Sequence, residues 1–235
     1  FAAIFLDCGD TLIDERTEQK LPDSEVVIRA DLIPGAKEMM DDLRARGHKL
    51  ILVADGPRQT FVNMLTHHGL WDHFDAHIIS EDVGVHKPDA RMFDAALSAA
   101  GLTRDDTWRT VMIGNNLSRD INGANALGIT SVFMSWSTLR THVPADASEV
   151  PDYHIKSPSE FVGLLDHLET AAVVQDRRVV PLRVGGAEDV DGASTSLPLT
   201  YARGPGSSGT RPCEEAGEGG RGEQHHQQSQ HLHGQ

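Results

Sequence analysis

A doubly wound α/β sheet, mostly parallel and with helices on both faces, is the fold class this sequence predicts, on three observations. Short apolar runs of strand length alternate five times with segments whose apolar residues recur at helical spacing, all within residues 1–170. The first run, residues 2–7 (AAIFLD), is apolar up to its last residue, as suits a strand buried on both faces. The conspicuous polar residues Asp7, Asp55 and Asn115 lie at or just after run ends, and Lys87 lies in the loop after another run. Ligands of such sheets bind beyond the carboxyl ends of the strands.

The elements follow in order. After the first strand, residues 14–33 are mostly polar. Pro34-Gly35 then opens a helix that stops at Gly47, with Ala36, Met39, Met40 and Leu43 on its apolar face. KLILVAD (49–55) is a strand, and PRQTFVNMLTHHG a helix with Phe61, Met64 and Leu65 inward. AHIIS (76–80) is a third strand, followed by the helix KPDARMFDAALSAAG with Met92, Phe93, Ala96 and Leu97 on one face. TVMIGN (110–115) is a strand, SRDINGANALG a helix ending at Gly128, and ITSVFM (129–134) a fifth strand. Tyr153-His154-Ile155 makes a short sixth strand, and SPSEFVGLLDHLETA a last helix.

The pattern stops near residue 174. RRVVPLRVGG (177–186) suits at most a weak strand, and the rest is rich in Gly, Ser, Pro and Gln. Such a segment cannot bury enough surface to offset its ordering entropy. The expected organisation is a core domain over residues 1–172 and a disordered low-complexity tail over 173–235, to which His225, His226, His231 and His233 belong. The formal charge of −14 disfavours nucleic acid and an anionic membrane surface. No run reaches eighteen apolar residues, the length of a membrane span. Cys8 and Cys213 form no readable disulfide framework, so the reducing cytoplasm is the expected compartment. The chain opens on Phe1 and is at once strand-like, which suggests a short leader lost or processed.

A carboxylate can act as a covalent nucleophile when something positions it and neutralises its target. Asp7 is so placed, and the turn Cys8-Gly9-Asp10-Thr11 after it offers amides that can cradle an anion. Lys87, just before Pro88, has the charge to neutralise a phosphoryl group or to hold Asp7 ionised. Asn115 and Asp120 frame GNNLSRD, an oxygen-rich cluster of the kind that holds Mg²⁺. Each of these residues alone reads as a cap, a turn or a solvated side chain; the shared sheet edge is what makes a site of them.

These motifs resemble those of the haloacid dehalogenase-like (HAD) hydrolase superfamily over residues 2 to about 170. The family's usual Asp-x-Asp-Gly-Thr-Leu corresponds to Asp7-Cys8-Gly9-Asp10-Thr11-Leu12, and its Ser-Asn-Gly to Ala54-Asp55-Gly56. Its Gly-x-x-Lys-Pro-Asp stands as Gly84-Val85-His86-Lys87-Pro88-Asp89. Its Gly-Asp-x-x-x-x-Asp stands as Gly114-Asn115 through Asp120, followed by Gly123-Ala124. The resemblance implies a three-layer Rossmann-like core. It also implies a phosphomonoester phosphatase in which Asp7 becomes an aspartyl-phosphate, Lys87 stabilises charge, and Asp7, the Gly9 carbonyl, Asn115 and Asp120 hold Mg²⁺. Asp10, Thr11, Asp55 and Asn116 are accessory positions beside that site.

Three departures bear on activity. Gly9 stands where the family's phosphatases carry the acid-base aspartate, and losing such a group costs about 10²–10⁴ in rate. Ala54 replaces a hydroxyl, and Asn115 replaces a carboxylate. Asp10, three residues from Asp7 in an extended segment, would point to the other face. Asp55 is a spare carboxylate or a turn residue before Gly56, and Trp136 is expected to pack against the sheet end. Only about twenty residues, 14–33, separate the first strand from the first helix, too few for a helical cap domain. An open site of this kind suits a small or a larger phosphorylated substrate, with a homo-oligomer or a protein partner as possible cover. Two alternatives stand beside the phosphatase: a catalytically inactive domain serving as a binding or assembly module, and a 2-haloacid dehalogenase, whose chemistry needs neither the acid at position 9 nor Mg²⁺.

Overall fold

The computed structural model describes the backbone of residues 1–179 and the side chains of residues 1–170. In chain order, β1 (Ala3–Leu6) is followed by a two-stranded antiparallel ribbon, β2 (Gln19–Lys20) and β3 (Val27–Arg29). Then come α1 (Ala36–Ala45), β4 (Leu50–Ala54), α2 (Arg58–His67), β5 (Ala76–Ile79) and α3 (Ser80–Val83). The chain continues through α4 (Ala90–Ala99), β6 (Thr110–Gly114), α5 (Asn122–Leu127), β7 (Thr130–Met134), β8 (Tyr153–Ile155) and α6 (Pro158–Val179). Among the described residues no helix is long and apolar enough to cross a membrane.

Six strands pair in the order β5-β4-β1-β6-β7-β8, every pair parallel. The sheet is therefore Rossmann-like, and its neighbour order reverses on either side of β1. Leu6 pairs with Leu52 of β4 on one side and Ile113 of β6 on the other. The crevice beyond those three strand ends is the switch point at which ligands bind in such sheets.

Alternation along the strands divides the core in two. Ile4, Leu6, Leu50, Leu52, Val111 and Ile113 face Met39, Met40 and Leu43 of α1, Phe61 and Leu65 of α2, and Phe161 and Leu165 of α6. Ala3, Phe5, Ile51, Val53 and Met112 face Met92, Phe93 and Leu97 of α4 and Ala124 of α5. Each large apolar side chain so buried contributes about 1.5–3 kcal/mol. For α1, α2 and α4 these are the helix faces that the sequence spacing predicts. The Asp89 carboxylate accepts from the Arg91 N–H at 2.9 Å and caps α4 directly after Lys87, so the helix start fixes the lysine's loop.

Three segments differ from the sequence expectation. Residues 14–33 carry more structure than their mostly polar composition indicates: Glu15–Thr17 form a 3₁₀ turn, and the ribbon β2–β3 follows it. The segment expected as one helix from Ser118 begins instead as a π-turn, Leu117–Ile121, because the Asn116 carbonyl accepts from the N–H groups of Arg119, Asp120 and Ile121. α6 runs on to Val179, so residues 177–179 of the weak-strand segment are helical. The remainder of that segment, Cys213 and the terminal histidines lie outside the described residues.

Candidate active site

Lys87 is the centre of the site. Its Nζ donates to Asp7 Oδ1 at 2.8 Å and to the Val53 carbonyl at 2.7 Å. It also lies 2.6 Å from Asp120 Oδ1, an ion contact that departs from hydrogen-bond angles and leaves that oxygen otherwise unpartnered. One ammonium thus stands between two carboxylates from the ends of β1 and β6. Lys87 and Asp120 are closed off from water, whereas the Asp7 carboxylate remains 14% exposed. Burial pulls the Lys87 ammonium down, but the combined attraction of Asp120, Asp7 and Asp55 outweighs it and holds the group above its ordinary value. Burial pushes the Asp120 carboxyl up to about 7, with Asp7 adding to the push and Lys87 opposing it. Asp120 Oδ2 accepts from the Asn116 N–H at 3.0 Å, which anchors the π-turn under the carboxylate. A methyl group on Gly114 would meet the Asp120 Cγ at 2.3 Å, so only glycine lets this side chain fold back over the end of β6.

Asp55 ties the surrounding loops to this centre. Its Oδ1 accepts from the Lys87 backbone N–H at 3.0 Å, and its Oδ2 from Arg119 at 3.2 Å. The residue after it is held too, since the Gly56 N–H donates to Ser80 Oγ at 2.9 Å. Asp55 therefore positions Lys87 through the backbone. Ala54, at the hydroxyl position, is fully buried.

The loop after β1 is wound tightly. The Cys8 carbonyl accepts from the N–H groups of Thr11, Leu12 and Ile13. Asp10 takes a left-handed conformation, φ 47°, and is fully buried. Its Oδ1 accepts from the Glu15 N–H at 3.1 Å, while its Oδ2 and the Thr11 hydroxyl are buried without a partner. Cys8 is a buried free thiol, and burial holds it well above its ordinary value. Asn115 is buried, and none of the described hydrogen bonds uses its side chain. The Asn116 Oδ1 accepts from the Ser118 N–H and hydroxyl. Trp136 packs at the edge of the larger core cluster and carries the Arg16 guanidinium 4.6 Å above its ring.

One residue at this edge escaped the sequence reading. A Cβ added to Gly9 would lie 2.1 Å from Glu15 Oε1, so the Glu15 carboxylate fills the space that a side chain at position 9 would take. Both Glu15 oxygens accept from Arg140 Nη2 at 2.8 Å. Burial raises the Glu15 carboxyl, Arg140 opposes the rise, and Asp10 and Asp7 reinforce it. Nothing in the spacing marks Glu15; its place depends on the 3₁₀ turn that folds it back.

Magnesium demands oxygen ligands. Asp7, the Gly9 carbonyl, Asn115 and Asp120 offer oxygens only, and the buried Asp120 Oδ1 accepts no hydrogen bond although the Lys87 ammonium faces it, so the set fits that ion in kind. It is poor in charge. Among the described residues no three His, Cys, Asp or Glu side chains gather as a metal cluster.

A central acid at the end of β1, a buried lysine and a second acid after β6, set on this sheet order, define a hydrolase core of the haloacid dehalogenase-like type. The chain belongs to the haloacid dehalogenase-like hydrolase family, whose sequence profile matches residues 14–134. It is 32% identical over 127 residues to the phosphoserine phosphatase of Thermus thermophilus, covering 54% of this chain and 48% of that protein. It is 30% identical over 161 residues to an (S)-2-haloacid dehalogenase of a Pseudomonas species, covering 68% of this chain and 64% of that protein. The chain thus spans about half the length of the first relative and under two thirds of the second. In fold it is similar to a HAD phosphatase from Thermococcus onnurineus, with a TM-score of 0.56 at 22% identity over 69% of this chain and 97% of that one.

Proposed function

We propose that the chain is a phosphomonoester phosphatase that works through an aspartyl-phosphate on Asp7. The observation that carries this reading is the Asp7 carboxylate, still open to solvent, with Lys87 Nζ 2.8 Å away. Asp7 attacks phosphorus, the bond from phosphorus to the ester oxygen breaks, and the alcohol leaves. Water then attacks the same phosphorus, the bond to Asp7 breaks, and phosphate is released. Lys87 keeps Asp7 ionised and offsets charge on the transferring group. The N–H groups of Cys8 and Gly9 donate none of the described hydrogen bonds, and they remain for the phosphoryl oxygens. Asp7, the Gly9 carbonyl, Asn115 and Asp120 would hold Mg²⁺, which when bound supplies positive charge opposite the phosphoryl oxygens. A 3₁₀ turn and the ribbon β2–β3 lie between β1 and α1, and no helical cap encloses the crevice there, which favours a small phosphorylated molecule or a larger phosphorylated substrate reached from solvent.

A second reading is attack by Asp7 on carbon with release of halide. It is favoured by Gly9, because a leaving halide needs no proton, and by the length of the match to the haloacid dehalogenase. The test is turnover of p-nitrophenyl phosphate with Mg²⁺, set beside 2-chloropropionate. Phosphate release that disappears in Asp7→Asn supports the phosphatase, and chloride release moves the assignment to the second reading. Inactivity on phosphoesters and haloacids alike, with the fold intact, overturns both and leaves a binding or assembly module.

A further inference from the structure

We infer that Glu15 supplies the proton-transfer carboxylate that position 9 lacks, as general acid towards the leaving oxygen and then as general base on the attacking water. This rests on the phosphatase reading above. Glu15 stands against position 9. An aspartate at position 9 would project its carboxylate from a Cβ that lies 2.1 Å from Glu15 Oε1, 2.9 Å from its Cδ and 3.1 Å from its Cγ. A carboxylate therefore already lies against the root of the side chain that position 9 lacks, delivered from six residues further along the chain.

The Glu15 backbone is fixed well enough to aim it. Its N–H donates to Asp10 Oδ1 at 3.1 Å, and Asp14 caps the turn in which it lies by accepting from the Arg16 N–H. Asp10 has no such access, because it is fully buried with Oδ1 taken. Asp120 is sealed under Lys87, and both Asp55 oxygens accept from neighbouring loops. Glu15 is 24% exposed and so can exchange its proton with solvent and substrate. The charges that face it are Arg140, which attracts it, and Asp10, Asp7 and Glu18, which repel it. Arg140 meets both oxygens through a single nitrogen, which leaves each oxygen with a lone pair to spare.

The step balances. As Asp7 attacks phosphorus, the electrons of the breaking P–O bond pass to the ester oxygen, which takes the Glu15 proton and leaves as the alcohol. The Glu15 carboxylate then takes a proton from the water that attacks the aspartyl-phosphate, and Asp7 leaves as a carboxylate. Glu15 ends protonated, as it began.

Two aryl phosphates test this. p-Nitrophenolate leaves without help, whereas phenolate leaves poorly unless protonated. In Glu15→Gln, kcat/KM for phenyl phosphate should fall about 10²–10⁴-fold, and that for p-nitrophenyl phosphate less than about 10-fold. Gly9→Asp in a Glu15→Ala background, where the volume against position 9 is cleared, should recover most of the loss. Arg140→Ala set beside Glu15→Gln separates proton transfer from anchoring. If Glu15 only tethers the segment around Arg140, both variants keep the wild-type ratio between the two substrates; if it transfers the proton, Glu15→Gln changes that ratio and Arg140→Ala does not. An equal fall on both substrates in Glu15→Gln, or no fall on either, overturns the role of Glu15 while the phosphatase reading stands. A folded wild type that turns over neither substrate overturns the phosphatase reading and takes this role with it.

Discussion

Two sets of charges share one edge of the sheet. The inner set is Lys87 with Asp7 and Asp120, and its ammonium and one of its carboxylates are closed off from water. The outer set pairs Arg119 with Asp55 and Arg140 with Glu15, and both of its arginines are well exposed. Contact distances barely distinguish them, since inner contacts span 2.6–2.8 Å and outer ones 2.8–3.2 Å. What differs is the surrounding medium. Removing one partner of a buried pair leaves a charge that water cannot reach, whereas an exposed pair dissolves into solvent at little cost. The inner set is thus bound to the fold even though Asp7, its one open member, carries the proposed chemistry, and the outer set can be altered at less cost.

The largest expected effect is therefore at the inner set. Lys87→Met leaves the Asp7 and Asp120 carboxylates facing each other without the cation between them, and should lower stability by about 3–5 kcal/mol in urea unfolding. A loss below about 1 kcal/mol would show that solvent reaches these groups, and the distinction between the two sets would fail.

An intermediate effect is expected where backbone geometry holds the inner set in place. In Gly114→Ala the new methyl meets Asp120 Cγ at 2.3 Å and its Cβ at 2.5 Å, and the carboxylate cannot yield without leaving Lys87. The cost should be about 1–3 kcal/mol, read as a drop in thermal midpoint. Asp55→Ala should cost a similar amount, about 1–3 kcal/mol, because the Lys87 N–H loses its acceptor at 3.0 Å in a half-buried place.

The same contrast explains what could be read from the sequence. The core strands were legible because Ala3–Leu6, Leu50–Ala54 and Thr110–Gly114 are buried throughout, and residues buried on both faces must be nearly all apolar. Asp7, Lys87 and Asp120 could be associated because each sits close to an element boundary, and the parallel topology brings those boundaries to one edge. The ribbon was not legible, since strands of two and three residues show no period. Glu15 was hidden for a related reason. Its meeting with Gly9 is a contact across a turn, and no spacing rule marks a side chain that fills another residue's missing volume. The π-turn before α5 arises from one carbonyl, that of Asn116, accepting three N–H groups, which composition does not reveal.

The smallest effect is expected at the outer set, and it is the sharper test of the comparison because it concerns a carboxylate that is itself largely buried. Arg119 is 50% exposed and meets Asp55 Oδ2 at 3.2 Å, while Asp55 Oδ1 keeps the Lys87 N–H and has the His86 ring at 3.7 Å. Arg119→Ala therefore does not orphan the carboxylate. The stability loss should stay under about 1 kcal/mol at low salt. It should shrink further near 1 M salt, where the screening length falls to about 3 Å. A loss above about 2 kcal/mol that salt does not reduce would mean that Asp55 depends on Arg119 as Asp120 depends on Lys87, and would move this pair from the rim to the buried set.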